Sequence, residues 1–125
     1  MPKRALVVMF AGTRDLPWPK IRELILGIIA DLPDGTVVLH GGNGNVDRGV
    51  HQAARARGLV TGVFEANWLK HGLGGGPIRT LAMVQLSDRA YVIWNGKSPG
   101  SKRAVEYAKR HERELIEHVI EPEPT

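Results

Sequence analysis

Four short stretches hold most of the residues able to do chemistry. AGTRD (11–15) carries Gly12, Thr13, Arg14 and Asp15, and HGGNGNVDR (40–48) carries Gly41, Gly42, Asn43, Gly44, Asp47 and Arg48. NWLKHGLGGGPIR (67–79) carries Trp68, His71, Gly76 and Arg79, and NGKSPGS (95–101) carries Gly96, Ser98, Gly100 and Ser101. Glycines at 41, 42 and 44 let the backbone approach a ligand closely, and amides at the start of a following helix are unpaired donors, so the stretch suits a phosphate. Asp47 is placed either to cap that helix or to hold a ribose hydroxyl, and Arg48 to meet a phosphate or a surface carboxylate. NGKSPGS repeats the arrangement, with Ser98 and Ser101 as phosphate ligands or as helix caps. No base is spaced to activate either serine.

Arg79 and Met83, four residues apart, share a helix face. The pattern places Arg79 in the first turn of its helix, where the dipole disfavours a cation unless an anion is bound. Trp18 and Trp68 lie in or beside these turns, where a base could stack on an indole, whereas Trp94 ends an apolar run and is expected in the core. The five histidines show no metal-site spacing, so no metal is expected, and His71 is the one singled out as an acid or ligand donor.

The elements that must position these residues alternate. RALVVMF (4–10) reads as a strand, and Ile21, Leu24, Ile25, Ile28, Ile29 and Leu32 recur at helical spacing until Pro33, Asp34 and Gly35 stop the helix. TVVLH (36–40) is a second strand, 46–57 a helix, LVTGVFEA (59–66) a third strand and 77–87 a helix. RAYVIW (89–94) is a fourth strand, KRAVEYAKRHERE (102–114) a helix and LIEHVIE (115–121) a last strand. Alternation with near-continuous apolar strands implies an α/β, Rossmann-like three-layer sandwich around a mainly parallel sheet of about five strands. All four chemical stretches then fall at the C-terminal edge of that sheet, where such folds bind ligands.

Size and composition bound the rest. A chain of 125 residues fits one domain, taken as 1–120 with a loose tail at 121–125. The absence of cysteine excludes disulfides and thiol chemistry, and the lack of a long apolar run or a signal-peptide pattern leads to the expectation of a cytoplasmic protein with no membrane partner. A formal charge of +4, spread along the chain, favours anionic ligands without marking a nucleic-acid binder.

Read in order, AGTRD, HGGxGxVDR, ANWxxHGxxxGPIRxxxM and WxGxSxGS resemble the YspA-like branch of the SLOG superfamily, over residues 6 to about 108. That superfamily includes the DprA DNA-processing proteins and the LOG phosphoribohydrolases. The resemblance implies a Rossmann-like fold and a nucleotide or nucleotide-derived ligand, one that could resemble ADP-ribose, with no cofactor required. It also leaves pairing into a homodimer open. LOG enzymes carry a catalytic glutamate in PGGxGTxxE; here Ala104 takes its place, and Glu106 lies about 200° further round the helix. Thr80 stands where YspA-like relatives more often show asparagine. A sensor or sequestering protein is therefore the leading expectation. The alternatives are an N-glycosidic hydrolase in which Asp15, Asp47 or Glu65 replaces the glutamate, and a DprA-like binder of single-stranded nucleic acid.

Overall fold

The computed structural model describes residues 4–66 and 71–121. Its elements follow one another as β1 (Val7–Gly12), α1 (Trp18–Asp31), β2 (Val37–His40), α2 (Asn45–Ala56), β3 (Val60–Val63), a short 3-10 turn (Gly72–Gly74), α3 (Gly75–Leu86), β4 (Arg89–Trp94), α4 (Pro99–Arg110) and β5 (Glu114–Val119). The strands form a five-stranded sheet in the order β3-β2-β1-β4-β5, and every pair of neighbours is parallel.

The strand sequences explain why both faces are covered. Side chains alternate across a strand, so Val8 and Phe10 of β1, Val38 of β2, and Tyr91 and Ile93 of β4 enter one core. Met9, Leu39, Ala90, Val92 and Trp94 enter the other. Against the first core α1 presents Ile21, Ile25 and Ile29, and α2 presents Val46, Val50 and Ala54, each set repeating every fourth residue along one helix face. Against the second core α3 presents Met83 and Val84, and α4 presents Ala104, Val105 and Ala108. Phe10 and Tyr91, paired in register across β1 and β4, also stack their rings at 4.7 Å.

The strand order also fixes where a crevice must open. From β1 the chain steps outward through β2 to β3, then returns to the other side of β1 and steps outward again through β4 to β5. The two runs diverge between β1 and β4, and the loops above their C-terminal ends separate there.

The structure modifies several of the expected elements: β1 runs over Val7–Gly12 rather than 4–10 and takes in the first two residues of AGTRD. The third strand is four residues long and lies at a sheet edge, with Val60 and Val63 exposed, because an edge strand has a neighbour on one side only. Helix α3 begins at Gly75, two residues before Pro77, so Arg79 lies beyond the first turn rather than in it. Helix α4 begins at Pro99, since proline is pre-set for a first helical position and has no amide proton to leave unpaired. Trp94 is buried in the second core, as its place at the end of an apolar strand implied. Among the described residues, no helix is long and apolar enough to cross a membrane.

Candidate functional site

A crevice of about 450 Å³ opens at the divergence point, walled by the β1–α1 turn, the β2–α2 loop, and the beginnings of α3 and α4. The end of β1 and the turn after it contribute Gly12, Thr13, Arg14 and Asp15, and the β2–α2 segment contributes Gly41, Asn43 and Asp47. From α3 come Gly76, Arg79, Thr80 and Met83; Ser98, Gly100, Ser101 and Arg103 complete the wall from the start of α4. Phe10 and Met83 lie beneath it, both buried in the cores.

The wall from α4 is held by a network that leaves its helix start open. Thr13 donates its amide to the Ile93 carbonyl at 3.1 Å, and its hydroxyl accepts the Asn95 amide at 3.0 Å. The same hydroxyl lies 2.9 Å from Ser98 Oγ. Asn95 Oδ1 accepts the amides of Lys97 and Ser98, each at 2.9 Å, folding the NGKS turn back on itself. Ser98 occupies the N-cap position of α4 but makes no side-chain capping bond. Ser101, in the first turn, is 3% exposed, and its Oγ has no hydrogen-bond partner. Neither serine therefore spends its hydroxyl on a cap, and the first amides of the helix have no partner within it.

The opposite wall centres on Asp47 and Arg79. Asp47 is the third residue of α2; its Oδ2 reaches back to accept the Asn43 amide at 3.1 Å, while Oδ1 is buried without a partner. Burial pushes the Asp47 carboxyl up to about 6, against the weaker opposing pull of the Asn43 amide, the Arg79 charge and the Gly41 amide. Arg79 crosses from α3 to the end of β2, where its Nη1 donates to the carbonyls of Gly41 at 3.2 Å and Phe64 at 3.3 Å. Its Nε is buried and unpartnered, and burial lowers the pKa of the guanidinium. A side chain at Gly41 would occupy the space that the guanidinium fills, so this position takes glycine for close approach. Gly44, at φ 97°, abuts the Arg14 backbone so closely that an added Cβ would collide with it; a positive φ and this contact together demand glycine.

Not every residue singled out in the sequence faces this crevice. Gly42 and Arg48 line a separate hollow of about 250 Å³ on the far side of the loop, with His40, His51, Gln52 and Val63. His71 is exposed and outside the crevice lining, as is Gly96; Gly44 is buried and also outside the lining, and Trp68 lies outside the described residues. Trp18 packs its indole over Gly49 of α2 and does not line the crevice. Of the carboxyls named as replacements for a LOG-type glutamate, Asp15 and Asp47 reach the crevice and the exposed Glu65 does not. Ala104 is buried in the second core, and Glu106 is exposed outside the lining.

Arg103 was not singled out in the sequence. It sits four residues after Pro99, one helical turn into α4, and that spacing is the signal that would have found it. The pairing of His40 with His51 also escaped the sequence. His40 Nε2 lies 2.9 Å from His51 Nδ1, and His40 Nδ1 accepts the Gly42 amide at 3.0 Å. Burial, with the His51 charge, drops His40 to about 4. Among the described residues, no group of three or more histidine or acidic side chains is gathered to hold a metal.

Solved structures share this architecture. The X-ray structure of DNA processing protein A (DprA) from Streptococcus pneumoniae superposes with a TM-score of 0.69 at 18% identity, over 90% of this chain and 50% of that one. The fold is shared with DprA. The structural-genomics target TM1055 has it too, with a TM-score of 0.62 at 16% identity over 88% of this chain and 72% of that one. This is the Rossmann-like arrangement that the motif resemblance implied, and the chain spans half the length of the DprA chain. No protein-family model and no curated protein matches the sequence.

Proposed function

We propose that the crevice binds a nucleotide or nucleotide-derived ligand through its phosphate, and that the protein acts as a sensor or sequestering protein for it. The observation that carries this reading is Ser101, a buried hydroxyl without a partner in the first turn of α4, on a wall where Ser98 is also free of any capping bond. A buried hydroxyl left unpaired costs on the order of 1–3 kcal/mol, a cost that a bound phosphate oxygen would remove. Helix amides pointing into the same space and the guanidinium groups of Arg14 and Arg103 along the lining add attraction for an anion. Ala11, Pro77 and Pro99, which line the crevice and are not buried, offer apolar contact to a base.

Binding is favoured over LOG-type hydrolysis because α4 supplies no carboxylate at the matching position, Ala104 being packed into the core. A thermal-shift panel tests the reading. AMP, ADP-ribose and other nucleotides should raise the melting temperature by mass action, and adenosine should do much less. Equal shifts from nucleosides and nucleotides would sink the phosphate site. Strong, salt-sensitive binding of an oligonucleotide in place of mononucleotides would point instead to a nucleic-acid partner.

A further inference from the structure

The two edges of the sheet are not alike. The β5 edge carries Glu114, Glu117 and His118, side chains of the kind that keep an edge strand from pairing with another chain. The β3 edge, VTGV, carries neither charge nor proline, and only its four-residue length limits it. Phe64 donates its amide to the His40 carbonyl of β2 at 2.8 Å, so by alternation Val60 and Gly62 also turn their backbone groups to β2, and Thr61 and Val63 turn theirs outward. No backbone group of the described residues meets them there. Side chains alternate too: Val63 lies on the α2 face with its register partner His40, and exposed Val60 lies on the other.

Helix α2 runs back along this edge. Arg48 and Gln52 line the hollow beside Val63, and the far end of the helix meets the start of β3, where the Leu59 amide donates to the Ala54 carbonyl. Arg48, Gln52 and Arg55, spaced by four and three residues, therefore form one exposed stripe beside the strand. Neither guanidinium has a hydrogen-bond or ion-pair partner among the described residues. His51 adds a donor whose proton is fixed. His40 Nδ1 accepts the Gly42 amide, so the proton of neutral His40 is on Nε2 and is donated to His51 Nδ1. His51 therefore carries its own proton on Nε2, an atom without a partner among the described residues and not enclosed. A histidine so arranged is a donor, not a metal ligand or a base.

We propose that the β3 edge takes up an extended segment of a partner protein as an added strand, with acidic side chains on its α2 side and small apolar ones on the other. Thr61 and Val63 supply the backbone groups for the new pairing, Arg48 and Arg55 the charge, and His51 a hydrogen-bond donor. The spacing fits. Seven residues of helix put Arg48 and Arg55 about 10 Å apart, and alternate side chains of a strand are about 7 Å apart, so acidic residues at every second position span the stripe. The intervening apolar residues then cover exposed Val60. A second copy of this chain is a poor occupant, because pairing β3 with β3 about a twofold axis brings two arginine stripes together on one face of the joined sheet. The surface is separate from the crevice and stands whatever the crevice binds.

The test is amide NMR of the whole chain, titrated with an acetylated and amidated hexapeptide of alternating glutamate and valine. Its controls carry lysine in place of glutamate, an N-methyl group on every glutamate, or an N-methyl group on every valine. In the parent protein the glutamate peptide should shift the Thr61 and Val63 amides, and the lysine peptide should bind about tenfold more weakly or worse. An N-methyl group removes a ladder donor only on residues turned toward β3, so one methylated peptide should lose binding and the other keep it. Methylated glutamate fails if the added strand is antiparallel, and methylated valine fails if it is parallel. The double variant Arg48→Glu with Arg55→Glu, changed at two exposed positions, should reverse the preference between the glutamate and lysine peptides. Absence of any shift at Thr61 and Val63 with millimolar glutamate peptide overturns the proposal, as does an equal effect of the two methylations. These comparisons use the parent protein and hold if the double variant fails to fold. A folded double variant that still prefers the glutamate peptide overturns the acidic assignment. Tighter binding of hexathymidylate to the arginine stripe, without movement of the Thr61 and Val63 amides, makes the stripe a nucleic-acid contact and also overturns it.

Discussion

The Arg79 guanidinium fills the space that a side chain at Gly41 would need, and its Nη1 donates to the Gly41 carbonyl at 3.2 Å. One contact between α3 and the end of β2 thus fixes the position of the arginine. The smallest addition, Gly41→Ala, should displace Arg79 from both the Gly41 and Phe64 carbonyls. We expect a lower melting temperature and a changed ligand affinity from this single methyl group. An unchanged melting curve would mean that the arginine relocates without cost and is not anchored as described.

Arg79→Ala removes the same bonds from the other side. The two carbonyls lose a charged donor, and Asp47 loses the cation that favours its ionised form. Bonds from charged donors are worth about 1.5–3 kcal/mol each, so destabilisation of that order should appear in chemical denaturation. The first-turn position inferred from the sequence would have made this arginine a liability in the empty protein. Placed further along α3 and anchored to carbonyls, it is a structural tie that also lines the crevice. A variant as stable as the parent would contradict the tie.

Acid titration should show two groups working against each other. Asp47, raised from 3.8 to about 6, contributes stability that is present below about 4 and is lost as pH rises through about 6. His40, lowered from 6.5 to about 4, contributes stability that is present above 6.5 and is lost as pH falls through about 4. Their windows overlap and their slopes have opposite signs, so the parent protein should change little in stability between about pH 4 and 6.5 from these two groups. Asp47→Asn should unmask the His40 slope, with stability falling steadily on acidification across that window. At about 1.4 kcal/mol per tenfold change in proton affinity, Asp47→Asn should gain up to about 3 kcal/mol above pH 6. Denaturant midpoints measured at half-unit pH intervals would show this directly; parallel profiles for parent and variant would refute it.

Local signals in the sequence reached as far as local physics does. RAYVIW is β4 residue for residue, because an apolar run with β-branched and aromatic side chains and turn residues after it has one reading. The glycine loops were legible as sheet-edge turns for the same reason. LVTGVFEA was not legible as an edge strand, since the same residues serve in the centre or at the rim, and strand order alone decides which. The Arg79 anchor joins residues 38 apart, and the His40–His51 pair joins residues 11 apart across a strand and a helix. Both depend on how α2 and α3 pack, which no spacing in the chain encodes. The residue types of the crevice were visible in advance; their unpartnered atoms, Asp47 Oδ1 and Ser101 Oγ, emerge only when every neighbour is in place.

Thr13 links the two sides of the α4 wall through its hydroxyl, which accepts the Asn95 amide and meets Ser98 Oγ. Thr13→Val keeps the shape and β-branching but removes both contacts. The partly buried Asn95 amide is then left without its acceptor, at a cost on the order of 1–3 kcal/mol. Ligand affinity should fall along with stability, because the turn that aims Ser98 loosens. If stability falls and affinity does not, the turn is structural and Ser98 plays no part in binding.

Ser101→Ala should separate stability from binding most sharply. The hydroxyl is buried at 3% exposure with no partner, so in the empty protein it carries a desolvation cost and returns nothing. Removing it leaves a methyl group against the Ala104 and Val105 side of α4 and deletes the unsatisfied atom, and serine is also a poorer helix former than alanine. Both effects favour the variant, and its melting temperature without ligand should be unchanged or higher. A bound phosphate would lose one hydrogen bond, and affinity for AMP or ribose 5-phosphate should fall by roughly tenfold, the equivalent of about 1.5 kcal/mol for a bond to a charged group. A residue kept for packing would behave in the opposite way, because its loss would destabilise the protein and spare the ligand. Melting curves with and without nucleotide, recorded on the same preparation, distinguish the two patterns. A destabilised Ser101→Ala that binds as tightly as the parent would remove the start of α4 from the site.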